Sequence, residues 1–167
     1  MTKTNGQTGS GASLSHVDDQ GQARMVNIAP KPPTARRAIV EGRVRINEDL
    51  AEAIEHQSLA KGDLFAVARL AGIQAAKRTD EWIPLCHTLP LDHVELTAWL
   101  DRPFVQLRAV VSTTAKTGVE MEAYTAVTAA ALTVIDMGKA IDKQMRVESI
   151  ELVQKTGGTS DIDRGKC

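Results

Sequence analysis

The chain has 167 residues, 43% of them hydrophobic and 25% charged, with a formal net charge of −1. That is material for one ordinary domain with its own core, and it carries no global attraction to nucleic acid or to a membrane surface. Aromatic residues make up 3%, too few for a platform that stacks bases.

Residues 1–13 (MTKTNGQTGSGAS) are polar and rich in Gly, Ser and Thr, and read as a disordered tail without the apolar segment of a signal peptide. A single domain is expected over 14–156, followed by a flexible tail over 157–167. Prolines in APKPP disfavour a helix before residue 34. From Ala38 to Ile46 apolar residues alternate with Glu41, Arg43 and Arg45, the pattern of a strand with one wet face. Asn47 is placed to cap a short helix over 48–57, and Asp63 to cap a longer one ending near Lys77 and Arg78. TDEWIPLCHTLP reads as a loop. Two strands follow, with Val94, Leu96, Ala98 and Leu100 inward on the first and Val105, Leu107, Ala109 and Val111 on the second. Asp101-Arg102-Pro103 joins them as a hairpin.

TGVEMEAYTAVTAAALTVIDMGKAIDK comes next, uncharged from Ala123 to Ile135 and so read as a buried helix. It is too short and too rich in Thr to span a membrane. VESIELVQK supplies the last strand. Strand, helix, strand, strand, helix, strand is the ferredoxin-like order: an α+β fold with a four-stranded antiparallel sheet and two main helices on one face.

The charges on this helix are the chief candidates for chemistry, because buried charges need partners or a use. Thr117 and Glu120 match a capping box, which competes with a site role for Glu120. Glu122 lies about 200° further round the helix and has no capping role. Asp136 and Lys139, at i, i+3 spacing, read either as a surface ion pair or as a partly buried functional pair beside Val134 and Met137. Lys61-Gly62-Asp63 reads as an exposed turn, with an anion site at the helix start as the sharper alternative. Cys86 and His87 are neighbours on an extended chain and point apart, so His87 alone is preferred as a ligand or proton donor. No metal-ligand spacing is present. Cys86 and Cys167 imply no disulfide framework, and a reduced, cytoplasmic setting is expected.

KGDLFAVARLAGIQAAKRT, WIPLCHTL, KTGVEMEAYTAVTAAALTVIDMGKAID and the trailing KTGG together resemble the MoaC family, the cyclic pyranopterin monophosphate synthases of molybdenum cofactor biosynthesis. The resemblance runs from about His16 to Ser160. It implies a lyase that converts a cyclised guanosine triphosphate derivative into the tricyclic pyranopterin and releases pyrophosphate. It also implies a homohexamer, a trimer of dimers, with active sites between subunits. Carried over by position, the catalytic residues fall on Lys61, Asp136 and Lys139. Substrate binding falls on Leu85, Cys86, His87, Met121 and Glu122, with Glu120 beside them. Lys31, Arg36, Lys116 and Lys155 match basic positions expected near the triphosphate. No cofactor is expected beyond Mg²⁺ accompanying that triphosphate. The family usually has Asp where this chain has Asn27, which keeps open an alternative: a degenerate paralogue that binds nucleotides or pterins. Glu122 and Asp136 stand 14 residues apart, about 21 Å along a straight helix, so two copies packed antiparallel through the Ala-rich faces are expected to bring them together.

Overall fold

A computed structural model describes residues 20–164; the tail expected over 1–13 lies outside them. Strand β1 (Thr34–Arg45) leads into α1 (Glu48–Glu55), α2 (Leu64–Ala76) and the single turn α3 (Thr79–Trp82). The hairpin β2 (His93–Asp101) and β3 (Phe104–Ala115) follows, then α4 (Glu120–Gly138), β4 (Arg146–Thr156) and the short β5 (Ile162–Asp163). The sheet is antiparallel throughout, in the order β2-β3-β1-β4-β5.

Local chemistry accounts for most of these boundaries. Asn47 accepts from Leu50 N at 2.9 Å and Asp63 from Ala66 N at 3.1 Å, so both expected caps form and satisfy orphan amides of the first turn. On β1, Ala38, Val40 and Val44 are buried and stand in register with Val111, Ala109 and Val105 of β3. The opposite face carries Glu41, paired with Arg108, and Arg45, paired with Glu148. The inward alternation expected for the hairpin holds through Leu96, Val105, Leu107, Ala109 and Val111, all buried.

Helices α2 and α4 pack on the buried face of the sheet. At Gly72 of α2, an added Cβ would collide with the Leu96 side chain and lie 2.9 Å from the Ala126 carbonyl, so only glycine lets α2 approach both β2 and α4. The alanines of α4 (Ala123, Ala126, Ala129, Ala130 and Ala131) are buried within this same chain. The Ala-rich face is therefore core and is not free for a second copy. The large hydrophobics that α4 leaves exposed are Met121 and Leu132, the latter 53% accessible, with α2 adding Val67 and Leu70.

Two further expectations need correcting. The sheet has five strands, not four: Lys155 pairs with Ile162 and Gln154 with Asp163, using residues expected to be tail. The segment after Arg78 is not wholly loop, since Thr79 closes one helical turn by accepting from Ile83 N at 2.9 Å. Among the described residues, no helix is long and apolar enough to cross a membrane.

Candidate active site

The loop after β3 delivers the chain to α4 through Lys116-Thr117-Gly118. The capping box does not form. Val119 is the N-cap, without any side-chain hydrogen bond, and the Glu120 carboxylate instead accepts from Lys155 Nζ of β4 at 3.1 Å. Glu122 is turned inward and is only 4% exposed. Burial raises its carboxyl from 4.5 to about 7; a backbone hydrogen bond opposes the shift, and the nearby Asp80 carboxylate adds to it. This group therefore exchanges its proton near neutral pH, the range that suits an acid–base catalyst.

Glu122 borders a cavity of about 440 Å³ that also takes in Leu85, Cys86, His87, Glu120 and Met121. Burial pushes the Cys86 thiol up, with Glu122 and Asp80 pushing the same way, so the sulfur stays protonated and is no thiolate nucleophile. Although Cys86 and His87 adjoin, both border this space, contrary to the opposed directions expected of neighbours on an extended chain. His87 Nε2 lies 2.9 Å from the Val26 carbonyl.

A second cavity, of about 490 Å³, shares Lys31, Thr117, Gly118 and Glu120 with the first. Its lining carries five cations (Lys31, Arg36, Arg37, Lys116 and Lys155) against the single carboxylate of Glu120. Arg36 Nε is buried there without a hydrogen-bond partner. The turn after β4 closes one wall. Gly157 has φ +83°, and a Cβ on it would strike the Ala35 carbonyl, so the first glycine of KTGG is required by the backbone. An acid-bearing pocket joined to a cationic one suits a ligand with a heterocycle at one end and phosphates at the other.

The other end of α4 carries a separate cluster. Lys61 Nζ lies 2.6 Å from Asp136 Oδ2 and 2.9 Å from the Asp136 carbonyl, while Lys139 Nζ lies 2.6 Å from Oδ1. The Asp136 side chain is 55% exposed, not partly buried as its apolar sequence neighbours suggested. Hydrogen bonds from Lys139 and then Lys61 hold its carboxyl down at about 2, so it is charged at every pH of interest.

Ten of the thirteen expected site residues thus gather around the two joined cavities, and three gather at the opposite end of the helix. Within one chain the two groups do not meet. Sequence reasoning missed Val26, Ile28 and Leu89 in the first cavity and Arg37, Thr159 and Ser160 in the second. Thr159 and Ser160 were read as tail, and the KTGG directly before them is the signal that could have found them; Val26 and Ile28, in an irregular segment, gave no periodic signal. Asn27 is exposed, its Oδ1 accepts from Ala29 N at 2.9 Å, and it borders neither cavity. Among the described residues no group of three or more His, Cys, Asp or Glu is arranged to hold a metal ion.

The family model described as the MoaC family matches residues 25–158. A protein of Nostoc sp. named cyclic pyranopterin monophosphate synthase is 53% identical over 151 residues, covering 89% of this chain and 90% of that one. Proteins of the same name from Thermomicrobium roseum and Heliobacterium modesticaldum are 50% and 53% identical, over 89% and 88% of this chain and 91% and 94% of their own.

Proposed function

The chain belongs to the MoaC family, and from that premise we propose that it is a cyclic pyranopterin monophosphate synthase, a lyase of molybdenum cofactor biosynthesis. Its substrate is a cyclised guanosine triphosphate derivative, its products the pyranopterin with its cyclic phosphate, and pyrophosphate. The observation that carries this reading is the pair of joined cavities, one with an ionisable buried carboxyl and one with five cations. The cationic cavity takes the triphosphate, neutralising charge as pyrophosphate leaves. Glu122, with His87 beside it, addresses the ring and exchanges protons with it. Cys86 packs and positions. No redox cofactor is required, and any Mg²⁺ enters with the triphosphate as part of the substrate.

Lys61, Asp136 and Lys139 complete the site from a second copy of the chain. Support comes from the geometry of α4, in which Glu122 and Asp136 stand about 21 Å apart and mark the two halves of the expected residue set. Along α4, Met121 and Leu132 are exposed and Thr128 and Ile135 half-buried. A two-fold axis through that stripe lays two α4 helices antiparallel and brings opposite ends together. Three such dimers make the hexamer that this reading includes, working in the cytoplasm. The strand order β2-β3-β1-β4, with helices after β1 and β3, also supports reading the fold as ferredoxin-like, β5 being an edge addition.

The test is direct. Purified chain is incubated with the cyclised nucleotide, and pyranopterin and pyrophosphate are measured together. Equimolar formation of both without flavin or nicotinamide is expected. Binding without turnover, or a strict need for a redox cofactor, would overturn the reading.

A further inference from the structure

The segment before β1 carries neither helix nor strand between Val26 and Lys31, yet it lies against both cavities and makes two long-range hydrogen bonds. The Val26 carbonyl meets His87 Nε2 at 2.9 Å, and the Ala29 carbonyl accepts from Lys116 Nζ at 2.9 Å. Between those two carbonyls sits Asn27, whose Oδ1 accepts from Ala29 N at 2.9 Å in an Asx turn. Lys31 N donates to the Ile28 carbonyl at 3.1 Å, and Pro30 restricts Ala29 to extended backbone. The two hydrogen bonds therefore order the backbone from Asn27 to Lys31, the stretch that links the Val26 carbonyl to the Ala29 carbonyl.

We propose that Asn27 is a positioning residue: its turn aims the Val26 carbonyl at His87 and the Ala29 carbonyl at Lys116. This role rests on the proposed function for its importance but not for its geometry. A carbonyl oxygen only accepts, so His87 Nε2 must carry the hydrogen. The neutral imidazole is then locked as the Nε2–H tautomer, and Nδ1 is the nitrogen left to accept from, or once protonated to donate to, a bound molecule. Lys116 is likewise held beside the cationic cavity. An Asp side chain would accept from Ala29 N as the Asn amide oxygen does.

The experiment is nitrogen NMR of ¹⁵N-histidine-labelled full-length protein in alkaline buffer without substrate, with His87 assigned through His87→Gln. Wild type is expected to show His87 as a single Nε2–H tautomer. Asn27→Ala is expected to move both ring-nitrogen shifts toward the average of the two tautomers, and Asn27→Asp to keep the wild-type pattern. In turnover assays kcat/KM falls about tenfold in Asn27→Ala, the equivalent of one neutral hydrogen bond, and recovers to within about twofold in Asn27→Asp. A wild-type His87 protonated at Nδ1, or an unchanged tautomer in Asn27→Ala, overturns the proposal whatever the activity. Because the spectra need no substrate, their failure is distinguishable from failure of the assigned reaction.

Discussion

The two ends of α4 hold carboxylates that the fold treats in opposite ways. Glu122, in the first turn, has its carboxyl raised to about 7; Asp136, in the last, has its own lowered to about 2. The helix dipole alone predicts the reverse order, since it favours a negative charge at the N-terminus and opposes one at the C-terminus. That field is worth about 0.3–1 kcal/mol, under one pKa unit, and it loses at both ends. At Glu122 it loses to dehydration, and at Asp136 to two ammonium groups in direct contact. One end is thus equipped to exchange protons and the other to remain charged.

The largest test of this contrast is Asp136→Asn, or alanine at Lys61 or Lys139. Product formation is expected to fall by about 10³-fold or more, while the melting temperature stays within about 2 °C because the pairs are exposed. Wild-type turnover by any of the three would remove that end from the site. Next comes complementation between the ends. Glu122→Ala and Asp136→Asn, each inactive alone, are mixed and allowed to exchange subunits. Half of randomly re-formed dimers are mixed and each holds one intact site, so about a quarter of wild-type activity returns. No recovery would mean that the two ends never meet.

A smaller effect concerns stability against pH. The folded carboxyl of Glu122 binds its proton more tightly than the ordinary carboxyl at 4.5, so between pH 4.5 and about 7 the folded state holds more protons than the unfolded one. Stability from this group therefore falls as pH rises through that window. Glu122→Gln is expected to flatten the decline and to be more stable than wild type above pH 7, by about 2 kcal/mol in denaturant melts. A parallel pH profile for the two proteins would show that Glu122 titrates normally. The smallest change is Lys155→Met. Its pair with Glu120 is partly solvated, so stability changes by less than about 1 kcal/mol, while KM for the triphosphate rises several-fold. An unchanged KM would separate Lys155 from the cationic cavity.

Much of the fold was legible because it follows short-range rules. Alternation marked β1 and the hairpin, and Asn47 and Asp63 marked two helix starts through hydrogen bonds to residues three positions on. β5 escaped because two residues carry no period, and α3 because one turn has neither a cap nor an apolar stripe. The apolar residues beside Asp136 in sequence suggest partial burial, and the helix undoes that suggestion. Asp136 lies about 200° round from Val134, so Val134 faces the core while Asp136 faces water. The contact between Lys61 and Asp136 spans 75 residues, and no spacing rule reaches that far. Only the family resemblance grouped them. The proton affinity of Glu122 was equally hidden, since it depends on Asp80 and on burial, which the sequence does not state locally.

The position of β1 at the centre of the sheet has a consequence during synthesis. Its partners β3 and β4 both follow it, so β1 leaves the ribosome about 60 residues before Phe104 appears. At about 5–20 residues per second that is roughly 3–12 seconds with both strand edges open. Arg36, Arg37, Arg43 and Arg45 punctuate its apolar residues. Such charges act as gatekeepers, discouraging neighbouring nascent chains from adding to the strand before its own partners arrive.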